Sequence, residues 1–546
     1  NSLDGYAQFW KGEIAYRQNR YDDAIRNMNL FLASGLPASG EANAINARYV
    51  SGYSWFQKEN YKNALPAFEA IATKLPANAS NIEQDAYVRA ADCYFMNRDF
   101  AKAGTMYDAV INGAFPASDY ATYQKAMIGG VKSSAEKIRI LGTLNKLYPN
   151  SNLLPDANME IAQTYMADEK FSNAIPYLEG LLNNNQAGGL KPKAYLKLGL
   201  AYYNMNQNKN ALNYYQQLVQ KYPQSAEAAE ALSIMRDIYV EEGRPNDYVE
   251  LMKQNGVQVS VTEADSLQFT SAMIKYNNGD CTAAIQSLGE YINRYPDGHY
   301  ALEAHANRGT CYQKNKDWNN ALADYAWVSG KGVSRFYEKA TLEAARIAYF
   351  ELKDYAKARP FFESLHQNTS NQDNQLEALR GLVRCYYQLK DYSTANDIAR
   401  ELLTKKGINS DDKAVANLVL GKSQQRANDC AAAIASFKAV AAVNRTAWGA
   451  EARYEMAACQ FGMNNLKAAE KAAMSVIKET GSYDLWVTQS YILLGDIFMK
   501  QKDYFNAKAT YESVASNAVI PELKAEAQRK LDQAIAEEKS QSKLNN

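Results

Sequence analysis

The side chains best equipped for chemistry in this chain are its cysteines. There are six, and Cys281 is followed by Cys311 after 30 residues as Cys430 is by Cys459 after 29, while Cys93 and Cys385 stand apart. No C-x-x-C occurs, so neither a zinc ribbon nor a thioredoxin-type redox motif is written here. Other reactive groups are sparse. The three histidines, His299, His305 and His366, show no H-E-x-x-H or similar ligand spacing. The string Gly421-Lys422-Ser423 ends like a phosphate loop but has Ala416 where the first glycine belongs. The GKG at 330–332 lacks the third glycine of a dinucleotide fingerprint, and no G-x-S-x-G is present. The chain therefore reads as non-enzymatic, with no catalytic residues, no metal site and no cofactor expected.

What the cysteines can do depends on the elements that carry them, and those repeat. Alanine, or a stand-in, returns at Ala24, Ala64, Ala103, Lys137, Ala174, Ala211, Tyr248, Ala284, Ala321, Ala358, Ala395, Ala433, Ala469 and Ala507, in steps of 34 to 40 residues. A period of this size marks a solenoid of supersecondary units. Twelve residues before each alanine stands glycine or alanine in ten units; the exceptions are Lys125, Arg236, Arg346 and Val383. Apolar residues recur at helical spacing on both sides of the turn, as in Tyr195, Leu198 and Tyr202 and then Leu212, Tyr215 and Val219. Each unit is thus expected to be a helical hairpin, with small residues such as Gly199 and Ala211 meeting at the crossing. Aromatic residues such as Tyr21, Tyr61, Phe100 and Tyr355 stand three before the alanine, and Pro76, Pro149, Pro223 and Pro296 stop second helices twelve after it.

The unit "LGLAYYNMNQNKNALNYYQQLVQKYP" resembles the tetratricopeptide repeat in its small, aromatic and proline positions, except at Asn208. The resemblance extends over nearly the whole chain and implies an all-α solenoid of about fourteen hairpins forming a superhelix. Endings such as "KYPQS", "RYPDG" and "LYPNS" resemble those of bacterial cell-envelope members, the outer-membrane assembly lipoprotein and the Tol-associated coordinator. Two joints interrupt the array. The unit near 121–149 has Lys125, Lys137 and a helix-weakening Gly129-Gly130. Around "NGVQVSVTEAD", Val257, Val259 and Val261 alternate as in an extended segment. The expected organisation is an N-terminal array over 1–252, an extended connector over 253–263, a C-terminal array over 264–520, a capping helix over 521–539 and a disordered tail over 540–546.

The cysteines can now be placed. Cys281 and Cys430 occupy the aromatic position three before a repeat alanine, and Cys311 and Cys459 lie on the first helix of the following unit. Two readings stand: six small buried hydrophobes, or two disulfides, Cys281–Cys311 and Cys430–Cys459, each clamping adjacent repeats. The second requires an oxidising compartment and points to the periplasm or the outer membrane. Reduced thiols would fit a cytoplasmic adaptor.

Function in such an array lies on a surface. Lysine plus arginine equals aspartate plus glutamate at 60 each, so no nucleic-acid partner is announced, and no apolar run is long enough to span a bilayer. The family resemblance implies that side chains fifteen, eleven, eight and seven residues before the alanine face the concave side. At eight before stand Tyr16, Phe56, Phe95, Met166, Tyr203, Tyr276, Phe350, Tyr387, Phe461 and Met499, read either as packing between first helices or as an aromatic groove for an apolar segment. The same alignment gathers Arg380, Arg384, Lys422 and Arg426, with Asn417 beside them, into a basic patch suited to an acidic segment or carboxylate terminus. The expected function is a protein-interaction scaffold of a cell-envelope complex, with other proteins as partners. The alternatives are a glycan or small-ligand binder of an outer-membrane uptake system and a cytoplasmic chaperone-type peptide adaptor. The uptake proteins carry long insertions between helices, for which steps of 36 to 38 from Tyr248 onward leave no room.

Overall fold

The computed structural model describes residues 2–544, which form 29 α-helices and one isolated bridge between Ser39 and Ala42. They part into two compact units, one running to Glu242 and including Glu250–Val257, the other formed by Gly243–Val249 and everything from Gln258 onward. The first unit holds six hairpins, from Ser2–Arg17 with Tyr21–Ala33 to Lys191–Asn204 with Asn208–Lys221, followed by helix Ala226–Glu241. The second runs through seven hairpins, from Val261–Asn277 with Cys281–Arg294 to Asp484–Lys500 with Tyr504–Asn517, and ends on Pro521–Leu544. Helix Pro245–Gln254 is divided between them. Within each unit every helix packs on the next in sequence, and many first helices also touch the first helix that follows.

Local chemistry writes the hairpin turn. In thirteen of the fourteen units the residue five before the repeat alanine has positive φ, for example Asn19 (58°), Lys316 (58°) and Gly279 (77°). One left-handed residue ends the first helix and reverses the chain. Aspartate often follows it and caps the second helix, as Asp99, Asp317 and Asp503 do by accepting from a backbone N–H three residues on. Such a cap contributes about 1 kcal/mol.

The crossing is built differently from the expected meeting of Gly199 with Ala211. A Cβ on Gly199 would overlap the ring of Tyr215, four residues past the alanine. The same spacing of sixteen pairs Gly12 with Met28, Gly52 with Phe68, Gly309 with Tyr325, Gly421 with Phe437 and Gly495 with Tyr511. The void left by the missing side chain is filled by a large one from the second helix, which restores close packing. Val383 then ceases to be an exception, because its partner sixteen on is the small Ala399 and both are fully buried. Arg346 is resolved by a π-helical turn at Ile347–Glu351. The extra residue puts Ala345 into the core with Phe362 and turns Arg346 out to Glu377, 3.0 Å away.

Three expectations about the joints are corrected. There is no extended connector over 253–263: the Ser260 hydroxyl accepts from the Glu263 N–H and starts a helix at Val261, leaving a short loop around Val257 and Val259. Capping outweighs the valine alternation, which has no neighbouring strand to pair with. The Gly129-Gly130 pair does not break its helix, Ser118–Lys132. It lets the second helix approach, since a Cβ there would lie 3.0 Å from Ile140 Cδ1 or Lys137 Cδ, and Lys137 extends to Glu160 at 2.6 Å. Residues 540–544 continue the terminal helix, which has no glycine or proline after Pro521 to stop it and buries Leu523, Ala527 and Ala534 against the last hairpin. Residues 545–546 lie outside the described residues.

Candidate functional site

Three of the four cations of the basic patch are engaged by carboxylates of the same chain. Arg380 donates from Nε and Nη2 to both oxygens of Asp412 at 2.8 and 2.7 Å, and Arg384 donates from Nη2 to Asp411 at 2.8 Å. Lys422 meets Glu451 at 3.0 Å and also contacts Glu455. Burial opposes the lysine charge, but the two carboxylates outweigh it and raise its pKa. Arg426 is the exposed member, with its guanidinium 4.3 Å over the Tyr392 ring. Asn417 donates to its own helix at Lys413 O, 2.8 Å away. The expected acceptor of an acidic segment is therefore an ion-pair ladder between consecutive first helices. The carboxylates that neutralise it lie one repeat further along the sequence, so the signal was legible there.

The aromatic row is mainly a packing seam. Tyr16, Phe56, Phe95 and Tyr387 lie 6.0, 5.2, 5.5 and 5.6 Å from Tyr21, Tyr61, Phe100 and Tyr392, the rings that open their own second helices. Tyr387 is buried and donates to Glu451. Tyr276, Phe461, Met166 and Met499 pack at the edges of core clusters, and Lys500 lies 4.8 Å over Phe461. Tyr203 donates to Glu241 at 3.5 Å. Phe350, on the π-helical turn, is 52% exposed.

Cys281 and Cys311 are joined as a disulfide, their Cα atoms 5.1 Å apart. Cys430 and Cys459 are unjoined thiols with sulfurs 2.8 Å apart. Burial and the contact with Cys430 push the Cys459 thiol up to about 12. Cys93 and Cys385 are buried, and desolvation pushes each up to about 12, which keeps them protonated and inert. His305 stacks on Trp327 at 3.8 Å with Nδ1 2.6 Å from Asp324, which also takes two bonds from Arg308. Gly421 and Lys422 sit inside helix Ser410–Arg426, away from any phosphate-binding loop. Among the described residues no group of three acidic, cysteine or histidine side chains is arranged to hold a metal ion, and no helix is long and apolar enough to cross a membrane.

One feature escaped the sequence reading. Between helices Ser2–Arg17 and Ala44–Gln57 lies a cavity of about 210 Å³ lined by the rings of Phe9, Tyr16, Tyr49 and Tyr53 and by Glu13 and Glu41. Phe9 and Tyr49 stand fifteen, Glu13 and Tyr53 eleven, and Tyr16 eight residues before their repeat alanines. Behind the rings, both tyrosine hydroxyls donate to Asp85, Tyr49 at 2.8 Å. Applying the inward positions to the first two units as well as to the cationic ones would have shown it.

Family profiles described as tetratricopeptide repeat match residues 85–116, 193–225 and 266–298, and a second of the same description matches 488–517. The chain contains tetratricopeptide repeats. No curated protein matches it. Among solved structures it is similar to a tetratricopeptide repeat protein from Parabacteroides merdae, at 18% identity over 50% of this chain and 98% of that one, with a TM-score of 0.30. It is similar to the structure of Naa15/Naa10 bound to HypK-THB, at 14% identity over 98% and 96% of the two chains and a TM-score of 0.33. It is also similar to the APC/C hetero-tetramer Cut9-Hcn1, at 12% identity over 97% and 96% and a TM-score of 0.30. Repeats of this class present extended surfaces for binding, which places the question on the first-helix face just described.

Proposed function

We propose that this protein is a non-enzymatic scaffold that holds segments of partner proteins along its first-helix face, within an extracytoplasmic complex of a bacterial cell envelope. The observation that carries the reading is the register. Side chains fifteen, eleven and eight residues before each repeat alanine come from successive first helices, many of them in direct contact, so that neighbouring repeats offer a segment a shared row of groups. The envelope setting is supported by the Cys281–Cys311 disulfide, which persists in an oxidising compartment. The Cys430–Cys459 pair is assigned to the same state, its two thiols giving two protons and two electrons to a thiol–disulfide exchange oxidant.

A photo-crosslinking amino acid placed at Tyr16 or Tyr203, with one at the exposed second-helix residue Phe505 as reference, tests the binding face. Partner cross-links from the first two positions and few from Phe505 are expected; equal yields, or none from the first-helix positions, would overturn the reading. Thiol counting under denaturing, non-reducing conditions on protein from the native source tests the compartment. Two free thiols are expected, at Cys93 and Cys385, whereas six would place the chain in a reducing environment.

A further inference from the structure

We infer that the cavity between the first two repeats is a receptor for a single arginine side chain on an extended partner segment. The inference rests on the scaffold reading and names what one part of it recognises.

The lining selects the chemistry. Four rings, Phe9, Tyr16, Tyr49 and Tyr53, surround a space with room for one long side chain. Two of them, Tyr49 and Tyr53, donate their hydroxyl protons to Asp85, which leaves the rings more electron-rich and better able to attract a cation over their faces. At the mouth stand two carboxylates. Glu13, its side chain 20% exposed, is held at 2.8 Å by Arg17, four residues on in the same helix and 75% exposed. A same-helix pair with a solvent-exposed arginine is weak and readily exchanged. Glu41 is exposed and makes no ion pair among the described residues; its backbone oxygen accepts from the Asn46 side chain at 2.8 Å and the Asn43 N–H at 3.0 Å. A planar guanidinium is the group that both stacks on rings and bridges carboxylates in a fork. An ammonium serves less well, because it lacks the fork. An anionic group would be repelled by the two carboxylates, and a neutral donor would bond them without the charge.

The rest of the molecule shows the same chemistry satisfied from within. Arg426 lies over Tyr392, Lys500 over Phe461 and Lys331 over Trp327, and the cations at the inward positions of the C-terminal unit reach carboxylates of the following repeat. In the cavity of the first two repeats the rings and acids are present and no lysine or arginine is among the lining residues, Arg17 holding Glu13 from an exposed position. Charge complementarity therefore commits the occupant to a basic side chain from outside the cavity.

The test is a ligand-observed NMR titration of the full chain with blocked glycine-serine heptapeptides carrying one central residue: arginine, lysine, citrulline or glutamate. The arginine peptide is expected to bind tightest, with lysine weaker by about threefold and citrulline by about tenfold or more. The Glu13→Gln/Glu41→Gln double variant removes the two carboxylate charges at nearly unchanged shape and keeps the rings, and it is expected to weaken arginine binding about tenfold. Equal binding of arginine and citrulline, or an unchanged affinity in the double variant, would overturn the inference. Loss of arginine binding with cross-links still forming at Tyr16 would remove the pocket and leave the scaffold reading standing. Arginine binding without partner cross-links would do the reverse.

Discussion

In the hairpin of Arg380, the positions fifteen and eleven residues before the repeat alanine hold Arg380 and Arg384, and in the next hairpin they hold Leu418 and Lys422; in the first two hairpins the same positions hold Phe9, Glu13, Tyr49 and Tyr53. The backbone is the same in both places. The difference is what the next repeat offers. Asp411, Asp412, Glu451 and Glu455 close on the cations and make a seam between repeats. In the N-terminal pair Asp85 takes the tyrosine hydroxyls, no cation enters between the rings, and a cavity remains. An inward position in this array becomes structure or site according to whether its complement lies one repeat away in the same chain.

If that distinction is right, the largest effect comes from removing one side of the seam. Asp412 is almost wholly buried and accepts two bonds from Arg380 as well as the N–H of Asn409. Asp412→Ala leaves Arg380, only 22% exposed, with Glu377 at 3.5 Å as its remaining carboxylate, and the expected loss is about 3 kcal/mol, near the lower end for a broken buried pair because that contact remains and water still reaches the guanidinium. Urea unfolding followed by circular dichroism reads it as a lower midpoint for the C-terminal unit. A midpoint unchanged within error would mean that the ladder is only a solvated face and that the comparison fails.

Next in size is the covalent seam. Cys281 and Cys311 close a loop of 30 residues, and Cys281→Ser is expected to destabilise its unit by about 3 kcal/mol or somewhat less, in proportion to the chain entropy released in the unfolded state. The same substitution tested under reducing conditions should cost far less, which separates the bond from the side chain. Smaller still is the crossing that sets the register in both regions. Gly199→Ala forces a methyl group into the Tyr215 ring and is expected to cost about 1 to 3 kcal/mol. Gly180→Ala, in an exposed helical position with open space around it, is expected to raise stability by up to about 1 kcal/mol. Thermal melts of the two variants should move in opposite directions.

The hairpins were legible because their signals are local: a small residue, an aromatic and a proline at fixed offsets follow from helix geometry alone. Their complements were harder to see. Gly199 implies a large partner, but only the observed crossing shows that it is Tyr215, sixteen residues on, and not Ala211. Arg346 looked like an exception at the small-residue position because one inserted residue in a π-helical turn shifts the register without changing the repeat length. The valines at 257, 259 and 261 looked like a strand because alternation was weighed without Ser260, whose cap decides the matter. The basic patch was read by gathering the cations of two adjacent first helices, so its charges were counted and their neutralising acids one repeat later were not. The cavity beside Tyr16 was missed for the matching reason, since its neighbours on the inward face were never laid alongside it.

The smallest expected effect is the most discriminating, because it makes one chemical change in two places. Glu13→Gln together with Glu41→Gln removes two carboxylates from the N-terminal cavity, and stability is expected to stay within about 0.5 kcal/mol of the parent, because Glu41 is exposed and Glu13, 20% exposed, loses only a same-helix pair of that size. Arg17, the one cation at Glu13, is 75% exposed and returns to water without penalty. Glu455→Gln in the seam leaves Lys422 with Glu451 alone, in a site where its side chain is only 15% exposed, so the same loss of charge is expected to be felt there. Matched melts in low and high salt settle which groups belong to the fold. A clear loss for the N-terminal pair would mean that its acids, too, are held by the structure, and the open cavity would then be one more seam.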